Sequence, residues 1–194
     1  MKKTLFYLLL LSTLAWGQPG DSFNQGKVDE LQSVEAYQGC SLGCALNWKT
    51  TVSSALPDSG GNRYGAAQLE DTDFQTCWAE AARGDGIGEY MEFVISKDKG
   101  PKNVPFSGFS IKNGYTKSQD IWSKNNRVKE MTLSINGKSQ STISLLDTSK
   151  SQWVALKGVR VNPGDVVRLT IKSVYPGSKY QDTCVSEILL SGAH

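Results

Sequence analysis

Residues 173–190 read SVYPGSKYQDTCVSEILL. Apolar and β-branched residues flank a turn marked by Pro176-Gly177, and the turn itself carries Tyr175, Lys179, Tyr180 and Asp182. A strand enters, a decorated loop crosses, and a strand leaves. The same punctuation recurs upstream. Residues 89–95 alternate Tyr90, Glu92 and Val94 against Met91, Phe93 and Ile95, the period of a half-buried strand. Residues 106–113 follow, with Phe109 and Ile111 set against polar neighbours, and 128–135 end at the hairpin signal Asn136-Gly137. Further strands are expected over 142–146, 152–156 and 166–174, the last after the turn Val161-Asn162-Pro163-Gly164-Asp165. Before them come short strands at 48–53 and 76–80, separated by a loop over 56–62 and a helical turn within 66–73. Eight to nine short strands at this spacing predict an all-β sandwich.

The first residues bear on location. Met1-Lys2-Lys3, an apolar run over 5–14 and Ala15-Trp16-Gly17 form a signal peptide over residues 1–17, with a cut before Gln18. The run is too short for the roughly 20 residues that span a bilayer, so no transmembrane segment is expected and the protein is expected to be secreted or periplasmic. No cysteine lies near the cut, which excludes lipid attachment there. The cut removes two lysines and no acid, taking the formal charge from +2 to zero. A neutral chain lacks the excess Lys and Arg that nucleic acid or anionic membrane would call for. Residues 18–39 read as a polar leader with a short helix over 28–37, and 40–194 as one domain. All four cysteines, Cys40, Cys44, Cys77 and Cys184, survive the cut. An even count in an oxidising compartment points to two disulfides. Zinc would want tighter pairs than the C-x3-C and remote spacings here. Three pairings remain open.

Strand direction gives the first functional clue. If each strand from Glu89 onward runs opposite to its predecessor, alternate loops share an end. One end then collects the loops at 83–88, 114–126, 147–150 and 175–182. The other collects 97–103, 136–138 and 157–164. Tyr115, Trp122, Tyr175 and Tyr180 all fall at the first end and no aromatic at the second. Rings beside amide, guanidinium and ammonium groups suit a sugar, whose apolar face stacks while its hydroxyls hydrogen-bond. The candidates for stacking are Tyr115, Trp122, Tyr175 and Tyr180, and for hydrogen bonds Asn113, Asn126, Arg127 and Lys179. The plain structural alternative is that these rings cap the core.

A second constellation is Asp71, Asp73, Thr76 and Glu187. Carboxylates and loop oxygens are hard ligands suited to a structural calcium ion. Glu187 sits in an apolar strand, where an unpaired buried carboxylate is costly. The alternative is a solvent-facing Glu187 and an Asp-capped turn at Asp71. Catalysis is not expected. Gly20-Asp21-Ser22-Phe23 matches the nucleophile block of GDSL-type hydrolases only superficially, and the sole histidine is His194. Gly84-Asp85-Gly86-Ile87-Gly88 precedes a strand where a phosphate loop would precede a helix. Glu89 and Glu92 differ in strand parity and could not flank one bond.

Several motifs converge on one family. They are Ser53-Ser54-Ala55-Leu56-Pro57, then Leu69-Glu70-Asp71 through Thr76-Cys77-Trp78-Ala79-Glu80, and Gly86-Ile87-Gly88-Glu89. Asn113-Gly114-Tyr115, Lys117-Ser118, Trp122 and Asn126-Arg127-Val128-Lys129 follow. The last are Val174-Tyr175-Pro176-Gly177, Lys179-Tyr180 and Asp182-Thr183 to Ser186-Glu187-Ile188. Over about residues 40–190 the chain resembles the discoidin-like (F5/8 type C, galactose-binding-like) translocation domain that precedes the catalytic part of secreted bacterial NAD-glycohydrolase toxins. The resemblance implies a galactose-binding-like jelly-roll β-sandwich that binds glycan on cell surfaces. In calcium-containing relatives of the wider fold, a loop like 71–76 and a late-strand Glu like Glu187 hold the ion. The resemblance does not reach the NAD-hydrolysing part, so that activity is not expected. It also favours the pairs Cys40–Cys44 and Cys77–Cys184. The leading expectation is a secreted non-enzymatic carbohydrate-binding module. The alternatives are a protein-binding envelope scaffold and a phospholipid-binding discoidin domain, for which only Trp122 offers an apolar spike.

Overall fold

The computed structural model describes residues 27–30, 40–98 and 100–192. The expected signal peptide, most of the leader and His194 lie outside the described residues. Twelve strands are described: β1 Lys27–Glu30, β2 Cys40–Ser41, β3 Trp48–Val52, β4 Trp78–Ala79, β5 Tyr90–Ile95 and β6 Val104–Asn113, then β7 Asn126–Ile135, β8 Lys138–Ser144, β9 Ser151–Ala155, β10 Arg160–Val161, β11 Val166–Tyr175 and β12 Thr183–Gly192. Every expected strand is present. The additions are β1, β2 and β10, which are too short to show a period of two.

Two antiparallel layers result. One runs β3-β5-β11-β7-β8 and the other β1-β9-β6-β12, with β2 and β4 added to β12 and β10 to β6. Among the described residues they are hydrogen-bonded to each other where β12 meets β7 in parallel, at Thr183 opposite Asn126 and Cys184 opposite Arg127. This is a galactose-binding-like sandwich. The registers make β5, β7, β9 and β12 run one way and β6, β8 and β11 the other. Successive long strands therefore alternate in direction, and the four loops assigned to one end do share it. It is the same end at which the two layers join.

Between the layers lies one core, containing Trp78, Phe93, Phe106, Phe109, Met131, Leu169 and Ile188. In β5 the residues Met91, Phe93 and Ile95 face it, as the period of two requires. Burying each large apolar side chain contributes about 1.5–3 kcal/mol. Trp78 anchors the middle of the fold, its indole N–H donating to the Ser54 carbonyl at 2.7 Å.

Two expectations are corrected. Residues 28–30, assigned to a leader helix, belong to β1, which pairs with β9. The segment 114–126, read as loop throughout, contains a helix, α1 Gln119–Lys124. Ser118 caps it by accepting from the Ile121 N–H, and Asp120 pairs with Lys124 one turn on. Six residues are too few to show a helical period.

Candidate functional site

The loop-rich end holds a cavity of about 310 Å³. Tyr64, Tyr115, Lys117, Ile121, Tyr180 and Asp182 are among the residues that line it. Its walls come from distant segments, and each has a local cause. The Pro176-Gly177 turn lies against the end of α1, where the N–H groups of Lys179 and Tyr180 donate to the Lys124 carbonyl. A Cβ at Gly177 would sit 2.4 Å from that carbonyl oxygen, so only glycine allows the approach. The bond from Tyr180 holds its backbone while its ring stays 43% exposed. The opposite wall is a two-residue turn from Ser59 to Asn62. Gly60 and Gly61 sit there at φ +58° and +81°, the left-handed pair that such tight turns require.

Tyr115 is only 8% exposed, and its ring meets that of Tyr64 edge-on at 6.3 Å between centroids. Burial pushes its phenol up to about 12. Burial also raises the Tyr64 phenol. Both hydroxyls therefore stay protonated at neutral pH and serve as neutral donors. Beneath them lie the Cys77 and Cys184 thiols, paired with each other. The hydrogen bond that Cys184 donates to Cys77, and burial after it, hold the Cys184 thiol well above its ordinary value, which disfavours a thiolate nucleophile.

The expected site residues divide into two groups. Tyr115 and Tyr180 line the cavity together, and Lys179 holds its ammonium 4.9 Å from the Tyr180 ring. The others form the framework below or beside it. Asn113 bridges to Val128, donating to its carbonyl at 2.7 Å and accepting from its N–H at 3.0 Å. Asn126 donates to Asp85 Oδ1 and the Gln181 carbonyl and accepts from the Gly177 N–H. Arg127 forms a bidentate pair with Asp147 and also donates to the carbonyls of Asn125 and Pro176. Its guanidinium stacks 4.5 Å from the Trp122 ring, and that indole N–H donates to the Asn113 carbonyl. Tyr175 donates its hydroxyl to the Leu145 carbonyl. Asn113, Asn126 and Arg127 are buried and their polar groups are engaged by the protein.

Sequence reasoning missed Asn62 and Tyr64, because the strand count began at Glu89 and left the Ser59–Asn62 turn without an end. The Gly60-Gly61 pair was the available signal. It also missed Glu80. Its buried carboxylate accepts from the N–H groups of Ala82 and Thr183 and ties the 81–86 loop to β12.

The residues expected to hold calcium stand as follows. Asp71 accepts from the Asp73 N–H and the Thr76 hydroxyl, and Asp73 accepts from the Gln75 N–H. That is an Asp-capped turn. Glu187 is buried, contrary to the solvent-facing alternative, and lies across the strand pair from Lys112. The Lys112 ammonium sits 3.8 Å from the centre of the Phe74 ring. Burial raises the Glu187 carboxyl, and the Asp71 charge adds to this while Lys112 opposes it. No cluster of three His, Cys, Asp or Glu that could hold a metal ion occurs among the described residues. Lys112 opposes the Glu187 charge from the neighbouring strand, while Asp71 and Asp73 are engaged within their own turn. The cysteines stand as two facing pairs, Cys77 with Cys184, and Cys40 with Cys44 at 2.8 Å between sulfurs.

No described helix is long and apolar enough to cross a membrane. The family model for the NAD glycohydrolase translocation F5/8 type C domain matches residues 41–191. No curated protein matches the chain. Among solved structures, the CBM32-1 and CBM32-2 domains of Clostridium perfringens ZmpB superpose with a TM-score of 0.58 at 10% identity, covering 89% of this chain and 42% of that one. The same domains in complex with GalNAc give 0.58 and 10%, over 88% and 40%. The arabinofuranosyltransferase AftD from Mycobacteria gives 0.50 and 16%, over 73% of this chain and 10% of that one. The chain thus spans about two fifths of the ZmpB chains it matches. At these identities the likeness shows the fold.

Proposed function

This chain belongs to the NAD glycohydrolase translocation F5/8 type C domain family, and from that premise we propose that it is a secreted, non-catalytic module that binds carbohydrate in the cavity between the Ser59–Asn62 turn and Tyr180. The observation that carries the reading is the cavity itself. It sets the half-exposed Tyr180 ring and the buried Tyr115 ring on one hollow with an amide, an ammonium and a carboxylate, those of Asn62, Lys117 and Asp182. A pyranose offers an apolar face to such rings and hydroxyls to such polar groups. The GalNAc complex of the ZmpB domains lends support at the level of the fold. The protonated phenols and the Cys184 thiol, held well above its ordinary value, are poor nucleophiles, which favours binding without turnover.

A second reading, a protein-docking end, has one observation in its favour. Ile87, Leu146 and Tyr180, the exposed large hydrophobics among the described residues, all lie on loops of this same end. The phospholipid reading relied on Trp122, whose indole is pinned to Asn113 and covered by Arg127.

A glycan array of the mature chain separates these readings. Capture of one glycan class is expected, and Tyr180→Ala should weaken it by about tenfold or more. The thermal midpoint should hold, since that ring is half exposed. Capture that survives the substitution would move the site elsewhere, and no capture of any glycan would favour protein docking.

A further inference from the structure

The cavity continues past Lys117. A second hollow of about 280 Å³ opens beyond it, walled by Arg63, Asp73 and Gln75 and sharing Asn62, Tyr115 and Lys117 with the first. A ligand longer than one sugar ring would therefore cross from an aromatic floor into a polar chamber. The charged groups of that chamber are Arg63, Lys117 and Asp73, two cations against one anion. Asp73 already accepts from the Gln75 N–H at 2.9 Å. Lys117 donates to the neutral Asn62 amide oxygen at 3.1 Å. Neither Arg63 nor Lys117 is ion-paired with a carboxylate among the described residues. An unpaired guanidinium beside a turn fixed by two left-handed glycines offers a planar fork to an oxyanion.

We infer that the groove takes a glycan of at least two units, in which a neutral sugar stacks at Tyr115 and Tyr180 and the next unit carries a carboxylate or sulfate facing Arg63 and Lys117. This rests on the carbohydrate reading of the first hollow. It narrows the ligand from glycans in general to acidic ones. It also assigns a role to Arg63, which touches only the second hollow.

The test titrates the mature chain with three matched probes: a neutral β-galactoside disaccharide, its sulfated form and its sialylated form. An acidic probe is expected to bind about tenfold tighter than the neutral one at low salt, with the gain shrinking as salt rises. The sulfated and sialylated arms identify which oxyanion is preferred. Arg63→Gln should erase the gain and leave the neutral probe's affinity unchanged. Equal affinity for all three probes, or a gain that survives Arg63→Gln, overturns the acidic subsite alone. Failure to bind any probe overturns the carbohydrate reading with it.

Discussion

The two ends of the sandwich use the same kinds of polar residue and place them differently. At the loop-rich end Asn126 is 1% exposed and holds three segments at once, through Asp85, Gln181 and Gly177. Arg127 and Glu80 do the same for the 147 and 81–86 loops. At the opposite end, Asn136, Asn162 and Asp165 bond one another and nearby backbone at or near the surface. Water replaces a lost bond at the surface, whereas a buried group left unpaired bears its full desolvation cost. The first end is therefore a rigid frame beneath exposed rings, and the second is a set of closed turns. A ligand site needs positions fixed before binding, and only the first end fixes them.

The cysteines offer the sharpest contrast between the ends, because each end has one pair. Cys77 and Cys184 lie under the cavity, while Cys40 pairs in register with Gly192, at the far end of β12. In an oxidising medium, with oxidised glutathione taking up two electrons and two protons per pair, both are expected to close. Chain entropy assigns about 4–5 kcal/mol to the long loop closed by Cys77–Cys184 and about 2 kcal/mol to the short one closed by Cys40–Cys44. Urea unfolding of Cys77→Ser/Cys184→Ser beside Cys40→Ser/Cys44→Ser measures both. Equal losses, or no loss on reduction of the parent chain, would remove the staple from the site.

A matched pair of asparagines probes the frame without the sulfur chemistry. Asn126→Ala removes three part-buried hydrogen bonds that tie three segments together and should cost about 2–4 kcal/mol. Asn162→Ala, which loses bonds to Asn103 and Asp165 near solvent, should cost under about 1 kcal/mol. Similar values would show that the two ends are equally rigid, and the preorganisation argument would fall.

The contrast also explains what the amino-acid sequence disclosed. Strand alternation was legible because inward residues such as Met91, Phe93 and Ile95 recur every second position, and alternation alone fixes which loops share an end. Ring placement at that end was legible for the same reason. What stayed hidden was the division of labour within it. Asn113, Asn126 and Arg127 have the chemistry of ligand contacts, and nothing in a one-dimensional pattern says that Val128, Gly177 and Asp147 engage them first. The Asn62 wall was hidden because its turn precedes the segment in which direction could be counted. Both gaps concern contacts between segments far apart in the chain, which local periodicity does not encode.

The smallest effect concerns the outer face of β6 and β12, where Lys112 and calcium compete for one role. Burial raises the Glu187 carboxyl and lowers the Lys112 ammonium, so both groups are pressed toward their neutral forms. A carboxyl whose folded pKa lies above its unfolded value contributes stability that is full below the unfolded pKa. That contribution is lost as pH rises through the folded pKa. At pH 7 the Glu187 charge is therefore a net cost. Glu187→Gln should raise the thermal midpoint at pH 7, and the two proteins should converge as pH falls toward 4. A bound calcium ion would reverse every sign, because it holds the carboxylate ionised and draws its pKa down. The substitution would then lower the midpoint at pH 7, and chelator would lower that of the parent chain. With Lys112 supplying the positive charge, the parent should be indifferent to chelator, so a midpoint that falls in chelator would return Glu187 and the 71–76 loop to a metal site.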